Sequence, residues 1–165
     1  MASGTRTVDK LKIVPAIVNK VATSLSPTLV SLKGYNHVTA VVTAVNTTGV
    51  TGSAITLAQS KTVAGANSKA LGFDTMWAST DIANSVALTE TTVTSNTFTT
   101  TNTANAIAMY VIEVDAIKLD VANGFDVFNV ACANGTNTTL SVTYLLGNVP
   151  RYAGGINSFV NPLVD

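Results

Sequence analysis

The sequence predicts an all-β chain: an antiparallel β-sandwich or jelly-roll-like domain with an extended N-terminal arm. Three observations predict it. The composition is dominated by 26 Thr and 22 Val, which are stiff at χ1 and suit a pleated sheet better than a helix. Short segments of alternating apolar and polar residues, about eight in all, recur between turn signals. Two Asn-Gly pairs, Asn123-Gly124 and Asn134-Gly135, carry the strongest short-range hairpin signal, because a type I′ turn needs positive φ at both central positions. The 165 residues suffice for one domain. They divide into an arm over residues 1–25 and a single sandwich domain over residues 26–165.

Leu11 to Val18 is apolar but contains Pro15, which fits an extended arm or an edge strand rather than a central one. Thr28 to Lys33 is a short strand closed by Gly34. Val38 to Val45 has apolar residues on both alternating faces, the mark of a strand held between two layers. A turn over Asn46 to Gly52 leads to a strand over Ala54 to Ser60, and Val63 to Lys69 reads as a loop. Leu71, Phe73, Met76 and Trp77 return bulky residues to the core. Thr89 to Thr103 holds nine threonines and no proline, so it reads as an exposed β-ribbon. Ala106 to Val114 is the strongest strand, and Asp115 is placed to cap a helical turn through Leu119. Phe128, Val130 and Cys132 share one strand face. Leu140, Val142, Tyr144 and Leu146 share another.

Only 11% of the residues are charged, against about 25% in an average soluble protein. Nine basic residues balance nine acidic ones, which is too neutral for a general nucleic-acid binder. The longest apolar run, Ala106 to Ile112, is seven residues, far below the roughly 20 of a membrane helix. Pro15 interrupts the N-terminal apolar stretch and no cleavage pattern follows, so no secretory signal is expected. The sequons at Asn46, Asn134 and Asn137 therefore read as turn residues. A surface of hydroxyls and amides has little repulsion to keep copies apart, which points to assembly. Charge is unevenly spread: residues 1–33 carry five bases (Arg6, Lys10, Lys12, Lys20, Lys33) and one acid (Asp9), hence +4, and the rest carries −4. A basic arm of this kind can dock on an acidic neighbour, including another copy. Arg6, Lys10, Lys12 and Lys20 are its candidate contact residues.

Few residues could carry chemistry. Cys132 and His37 form the sole possible thiol dyad, yet they lie 95 positions apart and nothing near Cys132 would activate a thiolate. Cys132 reads as a core thiol, and His37 as a polar residue at a strand end. One cysteine and one histidine are too few for a zinc site of Cys and His alone. Glu113, Asp115, Asp120 and Asp126 cluster in sequence, but their spacing matches no EF-hand loop, and the plain reading is a solvated loop. No cleft for a glycosidase pair can be argued from them. Neither an enzyme nor a bound cofactor is expected.

The segments Gly34-Tyr35-Asn36-His37-Val38-Thr39-Ala40-Val41-Val42, Leu71-Gly72-Phe73, Tyr110-Val111-Ile112-Glu113-Val114-Asp115, Leu119 to Asp126, Tyr144-Leu145-Leu146 and Pro150-Arg151-Tyr152-Ala153 resemble small virion proteins of tailed bacteriophages. The similarity is greatest to capsid decoration, or cement, proteins and covers roughly residues 30–153. The resemblance implies a β-rich, commonly trimeric protein on the outer capsid face, where it bridges subunits of the major capsid protein and has no catalytic residues. Two other readings fit the same composition. One is a tail or head-fibre component. The other is a carbohydrate-binding sandwich using Trp77 or Tyr35 as a stacking platform.

Overall fold

The computed structural model describes residues 11–25, 27–133, 135–147 and 161–164. Their strands are β1 (Lys12–Val21), β2 (Ser24–Leu25), β3 (Val30–Ser31), β4 (His37–Thr51), β5 (Ala54–Ser60), β6 (Lys69–Ala70), β7 (Thr75–Ser79), β8 (Thr89–Thr92), β9 (Thr97–Thr99), β10 (Ile107–Asp115), β11 (Val127–Ala133) and β12 (Thr136–Gly147). Helical structure among them is confined to two 3₁₀ turns, Ala116–Lys118 and Val121–Asn123. A front sheet runs β1-β12-β4-β10-β7-β8. A back sheet runs β2-β11-β5-β6, with β3 beside β11 and β9 beside β5. The strand pairings among the described residues are antiparallel. The two sheets pack face to face as an antiparallel sandwich, the fold class that the Val/Thr alternation predicts.

The core lies between the sheets. β4 contributes Val38, Ala40, Val42 and Ala44, β10 contributes Ala108, Tyr110, Ile112 and Val114, and β12 contributes Leu140, Val142, Tyr144 and Leu146. From the back sheet, Ile55, Leu57, Phe128, Val130 and Cys132 meet them. Within the front sheet the small Ala40 and Ala44 of β4 stand beside the larger Ile112, Tyr144 and Leu140, which leaves room for side chains of the back sheet to interdigitate. Two tyrosines add hydrogen bonds across this core. Val130 donates its N–H to Tyr144 Oη at 3.0 Å, and Thr101 donates its N–H to Tyr110 Oη at 2.6 Å.

Three expectations are corrected here. The two Asn-Gly pairs do not make hairpins. Asn123 closes a 3₁₀ turn with negative φ, and only Gly124 is left-handed, at φ 82°. Gly135 joins β11 to β12, which belong to opposite sheets. Space selects glycine there, since a Cβ would stand 2.7 Å from Ala22 Cβ. Next, β8 and β9 form no ribbon, because β8 pairs with β7 in the front sheet and β9 with β5 in the back sheet. Phe98 anchors this segment in the core, edge-on to Phe73 and 5.2 Å from Tyr110. Lastly, β4 does not turn at Asn46 but continues to Thr51.

The arm expected over residues 1–25 also changes. Residues 1–10, with Arg6 and Lys10, lie outside the described residues. Residues 12–21 are a front-sheet edge strand in register with β12 from Lys12↔Leu146 to Val21↔Thr139, with Val14 and Ile17 buried. The apolar spacing of Val14 and Ile17 across a register shift explains the strand: it delivers both side chains to the core despite Pro15. Deleting residues 1–21 is therefore expected to cost about 3–6 kcal/mol for two buried aliphatic side chains. That should lower the calorimetric Tm by about 6–24 °C. An unchanged Tm would return this segment to the status of a dispensable arm.

Candidate functional site

The buried face of the front sheet accounts for half of its side chains, and the other half point away from the core. The register across the strands gives five outward rows. One is Pro15, Thr143, Val41, Val111, Trp77 and Glu90. Its neighbours are Ser141, Thr43, Met109 and Ser79 on one side and Ile13, Leu145, Thr39 and Glu113 on the other. The fourth is Val21, Thr139, Val45 and Ile107, and the fifth, at the opposite end of the face, is Gly147, His37 and Asp115. Val45 is 42% exposed and Ile107 36%. Glu90, Glu113 and Asp115 carry the formal charges in the five rows. The result is a broad surface of aliphatic and hydroxyl side chains.

Charge sits at the margins of that surface. Lys12 and Lys20 lie on β1, one edge strand. Pro15, the lysines and two register shifts are features that blunt an edge against indiscriminate strand pairing. Toward the other edge, a cleft of about 150 Å3 is lined by Gly72, Phe73, Asp74, Thr75, Trp77, Glu113, Val114, Asp115 and Lys118. His37 Nδ1 lies 2.9 Å from Asp115 Oδ1, and Nε2 lies 3.2 Å from Thr39 Oγ1 and 3.9 Å from Glu113 Oε1. Asp115 thus serves His37 and makes no side-chain cap on the Ala116–Lys118 turn.

The other candidates fall apart in space. Cys132 is buried on the inner face of β11, whereas His37 is on the outward side of β4. Burial pushes the Cys132 thiol up from 9.0 to about 12, so it is protonated at neutral pH. Iodoacetamide is expected to label it only after denaturation, and labelling of the native protein at pH 8 would refute the packing. The sign of the linkage follows: the folded state holds this proton more tightly, so the contribution is complete below pH 9.0 and is lost as pH rises toward about 12.

The four clustered acids also separate. Asp120 pairs with Lys69 and Asn123, and Lys69 holds its carboxyl below the usual range. Asp126 pairs with Lys33 at 3.4 Å. Glu113 and Asp115 face the outer cleft. Lys69 Nζ also lies 4.0 Å from the centre of the Phe125 ring.

Two turn assignments are replaced by structural roles. Asn46 is 3% exposed, donates to the Thr101 and Thr103 carbonyls at 3.0 Å, and accepts from Thr138 Oγ1. Asn137, at φ 55°, donates to the Thr48 and Gly49 carbonyls. Asn134 lies outside the described residues. Tyr35 is buried and offers no stacking platform, but Trp77 is partly exposed in the cleft. Sequence reasoning missed both the outward face as a unit and the acids around Trp77. The alternation of Thr39, Val41, Thr43 and Val45 was a visible signal for the first. No local signal marks the second, because it depends on how β7 registers with β10. Comparison with protein-family models, curated proteins and solved structures finds no match for this chain.

Proposed function

We propose that this chain is a structural protein of a bacteriophage particle: a capsid decoration protein that binds the outer capsid and bridges coat subunits. The outward face of the front sheet carries the reading. Nine paired residues of β4 and β10 span about 30 Å, and six strands span about 24 Å. That gives roughly 700 Å2 of surface whose formal charges, Glu90, Glu113 and Asp115, lie toward one margin, close to the ~800 Å2 each partner buries in a standard protein interface. Such a face gains by being covered and carries few charges to desolvate. Lys12 and Lys20 border it on β1 and supply salt-sensitive contacts to the coat, together with Arg6 and Lys10 of the same basic segment. Self-association, as a trimer on the resemblance, multiplies weak contacts through effective concentration.

The test is direct. Purified virions are digested and quantified by mass spectrometry. The protein should be present in many copies, at a fixed ratio to coat protein. Its confinement to the lysate, or its presence in only a few copies per particle, would reject decoration.

A further inference from the structure

We infer that the Trp77 cleft is a recognition site for a guanidinium group, an arginine side chain presented by a protein partner. Trp77 is the only tryptophan in the chain, and it is partly exposed in a cleft of about 150 Å3. Asp74, Glu113 and Asp115 line that cleft. Glu90 stands directly opposite Trp77 in the β7–β8 ladder. Four of the chain's nine acids are thus gathered around one indole, with Lys118 as the only base in the lining. The lining carries −2 (three acids against one base), with Glu90 a fourth acid beside Trp77, in a chain whose net charge is zero. Lys118 offsets little of it, since its Nζ is 3.9 Å from Asp74 and both side chains are mostly exposed.

The chemistry of that lining selects the ligand. An anion is repelled, and an apolar side chain would desolvate carboxylates without pairing them. A guanidinium matches both components: its plane stacks on an indole, and its fork of donors meets carboxylates two at a time. His37, bonded to Asp115 and close to Glu113, orients the carboxylates on the β10 side. A neutral sugar would also use an aromatic face and carboxylate acceptors, but it draws nothing from the negative balance. The cleft lies at the margin of the face proposed to bind coat, since Trp77, Glu90 and Glu113 belong to its rows, but the choice of ligand does not depend on a virion setting.

Because Trp77 is the sole indole, its fluorescence reports on the cleft alone. The probe is the tripeptide amide Gly-Arg-Gly, titrated into the full-length protein, with Gly-Ser-Gly amide and methyl glucoside as comparisons. Saturable quenching with a millimolar dissociation constant is expected for the arginine peptide only. Raising salt from 0.05 to 0.5 M should weaken it about threefold or more, as exposed charge pairs are screened. E113Q and D115N should each weaken it about two- to fivefold, while D81N, remote from the cleft lining, should leave it unchanged. Circular dichroism confirms that each variant is folded. A response to all three probes, no saturation, or full binding by an E113Q/D115N double variant would overturn the assignment. Saturation by methyl glucoside without the arginine peptide would replace it with a sugar site.

Discussion

Replacing Tyr144 with alanine is expected to bring the fold to the edge of unfolding. The ring is fully buried, stands edge-on to Phe128 at 5.4 Å, and its oxygen accepts the Val130 N–H of the opposite sheet. Truncating a buried aromatic costs about 3–5 kcal/mol. Orphaning the Val130 N–H adds about 1–3 kcal/mol. Against a typical total stability of about 5–15 kcal/mol, that sum leaves little. Urea unfolding followed by circular dichroism measures it. The Tyr144→Phe variant isolates the hydrogen bond, since it keeps the ring, and should lose about 1–3 kcal/mol. A Tyr144→Ala loss below about 1 kcal/mol would mean that the sheets are not clamped at this point.

The second large effect concerns assembly and leaves stability nearly untouched. Val41 and Thr143 are direct cross-strand neighbours in the middle of the outward face. The double variant Val41→Lys with Thr143→Glu places opposite charges side by side, an arrangement that sheets tolerate or favour. Covering that pair with a partner surface requires desolvating both charges. Particle binding should fall by at least about thirtyfold, with the Tm within a few degrees of the parent. Co-sedimentation with particles reads it. Retained particle binding would remove the face from the interface.

The sequence disclosed the layers better than their connections. Period-two patterns separated the two faces of Val38–Val45, Ala106–Val114 and Leu140–Leu146, and one face of each supplies the core. Val38–Val45 is not held between two layers as expected, since its other face is turned outward and Val45 is 42% exposed. The separation works because burial on one side of a pleated strand is a local property. Sheet membership is not. Asn134-Gly135 looks like a hairpin turn, yet the strands on either side pair with partners far away in the chain, β11 with β5 and β12 with β4. The Thr-rich segment divides between both sheets for the same reason: Phe98 has a core position to fill next to Tyr110, and this outweighs local pairing. Pro15 identified β1 as an arm or an edge, and burial of Val14 and Ile17 decided between them. At the cleft, Glu113 and Asp115 were legible as near neighbours in sequence, and the strand that continues to Asp115 puts both on one outward face. Trp77 and Asp74 reach them only through the β7–β10 pairing, which no sequence spacing encodes.

Binding to particles that lack this protein is the most direct measurement of the central claim. Purified wild-type protein and the Val41→Lys/Thr143→Glu variant are mixed with such particles, pelleted, and quantified against coat protein. The decoration account predicts saturable binding of the wild type at a fixed number per coat subunit, reduced by salt, and loss of binding by the folded variant. Wild-type protein remaining in the supernatant at micromolar concentration would contradict decoration. Equal binding by the two proteins would contradict the assignment of the outward sheet face as the surface that binds.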